Sequence, residues 1–446
     1  MTETIHLLNG RVVNEGIQQE AHLILRDGRI ERICSAVPSS RADRVIDVAG
    51  AWVLPGLIDD QVHFREPGFP KKGTIRTESM AAVAGGVTSY MEMPNTYPPT
   101  TDAERLDEKH VVASRDSYAN YSFYLGGSNT NLDAVRAVDG KRVPGIKVFM
   151  GSSTGNMRVS EPEVLERIFQ HAPIPVVTHC EDDDIIAANL ERYKAVWGEE
   201  IPARYHPDIR SREACLASSK LAIELARRHD ADLHILHLTT AEELAMFEPG
   251  PIDGKKITAE ACVHHLHFND SHYAALGHRL KCNPAVKTEQ DRLAIIEALK
   301  DGRIDILATD HAPHELEYKS NPYTQAPSGL PLVQHVLQVL WEHVRRGELT
   351  VERLVEATSH AVAKRFSIKD RGFLREGYWA DIVVVREHEY PVKSENHPLY
   401  SRCGWSPFEA ESFYANIEYT LVSGHLVAEN GRVVGDPRGL ALEYLR

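Results

Sequence analysis

Residues 51–68 read AWVLPGLIDDQVHFREPG. The run 51–58 is apolar, and then Asp59, Asp60, Gln61, His63, Arg65 and Glu66 follow closely before Pro67-Gly68 closes the segment. A strand that delivers ionisable groups at its C-terminal end suits a parallel barrel, whose active sites are built just past the strand ends. Apolar runs followed by helical stretches recur at 88–93, 121–125, 146–150, 176–179, 233–237, 257–261 and 304–308. Alternating strand and helix patterns of this kind imply βα units and a parallel sheet. Eight such units over roughly 250 to 300 residues predict an α/β fold, a (β/α)₈ TIM barrel.

The ends of the chain read differently. Short strand-like runs at 6–13, 21–26, 29–34 and 44–47 are broken by Asn-Gly and Asp-Gly turns, and the same texture returns at 380–385, 419–423 and 425–434. This predicts antiparallel strands from both termini joined in one small composite β-sandwich. The expected division is therefore 1–52 with 378–446 for the sandwich and 53–377 for the barrel.

Composition narrows the function classes. A chain of 446 residues with 26% charged and 42% hydrophobic side chains has ordinary globular usage and ample core. The net charge of -14 argues against nucleic acid, which is bound by clustered Lys and Arg. No run is apolar and long enough to cross a bilayer, and the N-terminus lacks the basic start and apolar stretch of a signal peptide, so the expected partner is a small molecule, with no membrane, in the cytoplasm. The six cysteines form no C-x-x-C pair, whereas there are 23 histidines, several of them ending apolar runs. A bound metal would accordingly take imidazole and carboxylate ligands.

Positions 61 and 63 share one face of an extended segment, because side chains alternate with period two. Lys147 sits inside the apolar run IKVFM. A lysine buried there must pair with a carboxylate or become neutral, and a neutral amine can take up carbon dioxide as a carbamate able to bridge two cations. His179 ends PVVTH, His237 ends LHILH, and Asp310 follows DILAT. Each alone is equally well a capped strand end; together they supply what a one- or two-zinc hydrolytic site needs. Asn95, Asn283 and His314 are polar strand-end neighbours, and the Arg65 fork matches a substrate carboxylate, or else an ion pair with Glu66 or Asp59. His264, His265 and His267 are read as hydrogen-bonded rim residues, since no carboxylate partner for a metal is evident beside them.

PGLIDDQVHFREPG, MEMPNT, THCED, CNPAVK and TDHAPH closely resemble the amidohydrolase superfamily and, within it, the dihydroorotase family. The resemblance implies reversible hydrolysis of dihydroorotate to N-carbamoyl-aspartate in pyrimidine synthesis. It implies Zn²⁺, one or two ions, on His63, Lys147, His179, His237 and Asp310, with carboxylated Lys147 as the bridging ligand and Asp310 as the general acid/base. Arg65, Asn95, Asn283 and His314 match substrate-holding positions, and Ser328 and Gly329 fall where the family contacts substrate through its backbone. A homodimer is the assembly the resemblance suggests. One departure stands out: the family shows His-x-His where this chain has Gln61-Val62-His63. An amide oxygen is a poorer zinc ligand than imidazole. Rival readings are an allantoinase or dihydropyrimidinase, whose ring carries no carboxylate, and a non-catalytic assembly subunit.

Overall fold

The computed structural model describes every residue except 1–2, 152–156, 393, 395 and 396. Eight parallel strands form the barrel: Leu57–Val62, Val87–Glu92, Asn120–Phe123 continued by Leu125–Gly126, Ile146–Phe149, Val176–His179, Leu233–Ile235, Ile257–Cys262 and Ile306–Ala308. Each pairs in parallel with the next. A parallel bridge between Val62 and His311, with the His63 N–H donating to the His311 carbonyl at 2.7 Å, closes the ring. The β-branched and apolar runs that form these strands are buried throughout, as parallel strands covered by helices on one side and filled on the other must be. Five of the helices that follow strands begin at Thr74, Asp102, Asp182, Thr240 and Thr288, whose side chains accept from backbone N–H groups of the first turn. These caps turn the chain from strand to helix where the free N–H groups would otherwise lack partners.

The 51–58 run differs from its sequence reading. It divides at Gly56 into Trp52–Pro55, which belongs to the terminal sheet, and Leu57–Val62, the first barrel strand. A β-carbon at Gly56 would lie 2.2 Å from the Thr88 side chain, so the crossing from one sheet to the other requires glycine. Asp59, Asp60 and Gln61 are consequently inside the strand, and His63 is the first residue beyond it.

The terminal strands form one nine-stranded sheet enclosing a core of its own, with Ile5, Leu23, Ile30, Val53, Ile382 and Leu421 among its members. Strands from both termini meet where Trp52–Pro55 pairs with Ile382–Arg386. The sheet is mixed rather than antiparallel, because Arg44–Asp47 and Trp52–Pro55 both lie parallel to Thr4–Asn14. The chain's last residues return to the barrel, where the Tyr121 N–H donates to the Leu440 carbonyl and the Leu442 N–H to that of Tyr121. Among the described residues no helix is long and apolar enough to cross a membrane.

Candidate active site at the barrel rim

The first and eighth strands bring His63, Gln61 and Asp310 together. Gln61 Nε2 donates to Asp310 Oδ1 at 3.1 Å, and His63 Nε2 stands 3.0 Å from the same oxygen. The period-two reading thus places positions 61 and 63 on one target. His63 Nδ1 faces Asn95 Oδ1 at 2.7 Å, so the ring donates there, and Asn95 orients the imidazole. A neutral ring has no second proton for Asp310. Burial lowers the His63 pKa, more than Asp310 raises it, which favours that neutral ring. The contact between Nε2 and the carboxylate therefore calls for a shared proton or a cation.

The fifth and sixth strands form the opposite side. His179 Nδ1 and His237 Nε2 are 3.0 Å apart. Two nitrogens at 2.0–2.1 Å from a tetrahedral zinc span about 3.3 Å, so this spacing is close to that of a ligand pair. The other His179 nitrogen donates to Glu181 Oε2 at 2.9 Å, and Arg210 pairs with that carboxylate. Burial would raise the Glu181 pKa, but Arg210 and His179 together bring it down to about 2. A carboxylate behind an imidazole fixes its tautomer and orientation for a metal. The His237 N–H donates to Glu260 Oε1 at 3.0 Å.

Lys147 is fully buried on the fourth strand. It makes no ion pair among the described residues; its ammonium lies 4.6 Å from the Phe149 ring centroid. Burial pulls its pKa down to about 8, against the attraction of Asp310 and Glu260. An amine with that pKa is partly neutral near pH 8, the state that can form a carbamate. His63, Lys147, His179, His237 and Asp310 thus fit a divalent cation in donor type, and the His179–His237 imidazole pair and the His63–Asp310 contact fit it in spacing.

Three of these rim residues hold left-handed backbone conformations: Arg65 at φ 71°, His237 at φ 39° and Asp310 at φ 50°. That geometry costs about 1–2 kcal/mol for a residue with a β-carbon, and strain of this kind collects at functional sites. Around Asp310 it is held by His311, whose Nε2 faces Glu78 at 2.8 Å and whose Nδ1 accepts from the Leu332 N–H at 2.9 Å.

Arg65 is buried, with Nε donating to the Pro313 carbonyl at 3.3 Å and Nη2 3.0 Å from His314 Nε2. Neither Glu66 nor Asp59 pairs with it: Glu66 accepts from the Ile75 N–H and Asp59 from Thr309. Burial lowers its pKa to about 10, with Asp310 and Glu92 opposing. His314 Nε2 is also 3.0 Å from the Ser328 carbonyl, and its Nδ1 has no partner. Asn283 carries a buried, unpartnered Oδ1. Gly329 is at φ 138°, with its N–H already donated to the Lys281 carbonyl at 2.9 Å, which leaves that amide engaged within the fold.

Several neighbours were not singled out in the sequence. Glu181 lies two residues past His179, on the same face of an extended segment, and that spacing was a usable signal. Lys319 and Lys281 gave none, because their partners are loop carbonyls. Lys319 Nζ donates to the Lys281, Pro327 and Gly329 carbonyls, and Lys281 Nζ to those of Tyr323 and Ala326. Of the three histidines that follow the seventh strand, His267 turns away to face Glu411 at 2.9 Å, whereas His264 and His265 stay together with ring centroids 3.9 Å apart, and His264 is buried with both ring nitrogens unpartnered, contrary to its reading as a hydrogen-bonded rim residue.

A closed ring of eight parallel strands with imidazoles, a carboxylate and a buried lysine at one rim defines a class, and the chain belongs to the amidohydrolase family, which it matches over residues 52–427. More particularly, it is 32% identical to a dihydroorotase of Methanosarcina acetivorans over 98% of this chain and 95% of that one. A dihydroorotase of Halobacterium salinarum is 33% identical over 86% and 90% of the two chains. Among solved structures, the L-hydantoinase (dihydropyrimidinase) of Arthrobacter aurescens superposes with a TM-score of 0.91 at 25% identity, covering 98% of each chain.

Proposed function

We propose that this chain is a metal-dependent cyclic amidase, a dihydroorotase that reversibly opens dihydroorotate to N-carbamoyl-aspartate in pyrimidine synthesis. The observation that carries the reading is Arg65, a buried guanidinium whose contacts are a carbonyl and an imidazole and not a carboxylate. A buried charge without a counter-ion is costly, and a substrate carboxylate would meet it as a bidentate partner. The relatives named dihydroorotase support the same substrate.

His63, His179, His237, Asp310 and carboxylated Lys147 would hold one or two zinc ions, which supply a water ionised near neutral pH and an electrophile for the amide carbonyl. The chain's own groups do the rest. Arg65 and His314 fix the carboxylate and so orient the ring. Asn283 Oδ1, lacking a partner, is free to accept from a ring N–H. Asp310 takes the water's proton and returns it to the departing ring nitrogen, the acid/base role of a carboxylate at the rim.

The test is a side-by-side assay of dihydroorotate, allantoin, dihydrouracil and hydantoin. Turnover of dihydroorotate is expected; activity confined to rings without a carboxylate would overturn the reading. Gln61 is what speaks for a non-catalytic assembly subunit. Against it, three strained rim residues and a buried lysine impose costs that an assembly role does not need.

A further inference from the structure

The seventh strand ends at Cys262, and His264 and His265 follow at once on the short helix Val263–His267. One ligand atom from each of Cys262, His264 and His265 lies within 4.8 Å of the others, and all three residues are buried. Neither ring nitrogen of His264 has a hydrogen-bond partner, nor does Nδ1 of His265, whose Nε2 is 3.2 Å from the Pro284 carbonyl. A buried polar group left without a partner costs about 1–3 kcal/mol. Three such nitrogens beside a thiol at one strand end point to a missing ligand.

Cys262 Sγ lies between two oxygens, 3.4 Å from Glu260 Oε1 on its own strand and 3.7 Å from Gln61 Oε1 on the first, and the other end of the Gln61 amide donates to Asp310. We propose that Cys262, His264 and His265 form a cation site for zinc or a similar divalent metal, with the Gln61 amide oxygen as its fourth donor. Sulfur, two imidazole nitrogens and one oxygen make a tetrahedral set. Gln61, out of place in a His-x-His pair, acquires a role here: one end supports Asp310 and the other faces the new site.

The electrostatics agree with this geometry. Burial lowers His264 to about 4 and His265 well below its ordinary value, so both rings are neutral ligands at pH 7. Burial, then Glu260, Asp310 and Asp59, raise the Cys262 thiol. The negative field that retains the proton on sulfur also attracts a divalent cation, and a coordinating thiol is deprotonated outright. On binding, the S–H bond breaks, a sulfur–metal bond forms, and one proton per ion leaves to solvent. The donors that complete the set beside these histidines are the thiol at the end of the preceding strand and an amide 201 positions away, while the nearby Glu260 carboxylate accepts from the His237 backbone N–H.

Cobalt(II) titration of the chelator-stripped full chain tests this independently of what the rim hydrolyses. The rim ligands contain no sulfur, so a thiolate-to-cobalt charge-transfer band in the near ultraviolet reports a cysteine site alone. Expected are a charge-transfer band with the amplitude of a single thiolate–cobalt bond, one more cobalt and one more proton per chain than in Cys262→Ser, and displacement by zinc. The band should vanish in Cys262→Ser and persist in His179→Asn, Cys180→Ser and Cys282→Ser. His264→Asn should weaken cobalt binding at least tenfold, and this variant carries the test if Cys262→Ser does not fold. A folded wild-type chain without the band, a band that survives Cys262→Ser, or unchanged affinity in His264→Asn overturns the proposal.

Discussion

The two sides of the rim are supported differently. On the fifth and sixth strands, His179 is anchored by the Glu181–Arg210 pair, and the backbone N–H of His237 is held by the Glu260 carboxylate of the seventh strand. On the first and eighth strands, His63 is anchored by the neutral amide of Asn95, and Asp310 accepts from the amide of Gln61. Arg65 and His314 there depend on the 311–330 loop. Charge anchors a ligand whose position must not vary, whereas amides and loop carbonyls build a surface shaped to the substrate. Under the proposed function, the first side would be the cation's firmest holding point and the second the place of proton transfer and recognition.

The largest break in this contrast should come at Asp310. Asp310→Asn keeps the shape and the contact with Gln61 but removes the base, and kcat is expected to fall by about 10²–10⁴-fold. Its melting temperature should stay close to that of the parent. Turnover within a few fold of the parent would remove Asp310 from the acid/base role.

Next is Arg65→Gln, which acts on recognition alone. Losing a charged fork that meets a carboxylate removes hydrogen bonds of about 1.5–3 kcal/mol each, so kcat/KM for dihydroorotate should fall by about 10²-fold. Activity on dihydrouracil should be little changed. An equal fall for both substrates would show that Arg65 does not read the carboxylate.

Glu181→Gln probes the other side. Replacing a carboxylate that orients a ligand imidazole typically weakens metal affinity about 10- to 100-fold, and the Arg210 guanidinium loses its partner. Zinc retention during dialysis against a chelator measures this. Asn95→Ala, behind His63, should cost less. If it costs more, the assignment of the firmer side is reversed.

Much of this arrangement was readable from sequence because strand ends have few alternatives. Apolar runs of four to eight residues set the eight strands, with Lys147 inside the fourth and His63, His179, His237 and Asp310 at or just past the ends of theirs. The misreadings concern contacts between distant parts. The division at Gly56 depends on how closely Thr88 approaches, and the parallel pairing of Trp52–Pro55 with Thr4–Asn14 depends on where the connection crosses. The contact of Asn95 Oδ1 with His63, a partner 32 positions earlier, was likewise outside what the sequence could show. Cys262 is a free, buried thiol, and its nearness to the orphaned histidine nitrogens and to Gln61 cannot be located from composition.

The smallest expected effect concerns the loop that makes the recognition side adjustable. Lys319 joins three carbonyls of that region with one buried ammonium, and burial lowers its pKa to about 7. In the unfolded chain the same group keeps its ordinary value of 10.5. Between these values the unfolded state binds more protons than the folded one, so stability from this group rises with pH, at most about 1.4 kcal/mol per unit. Lys319→Met removes that dependence. The difference in melting temperature between parent and variant should therefore grow in the parent's favour from pH 7 to pH 9. KM should rise in the variant, because the carbonyls that position Ser328 and His314 lose their common donor, while zinc affinity on the His179 and His237 side stays unchanged. A loss of zinc would mean that the two sides are coupled through the loop and are not separately supported.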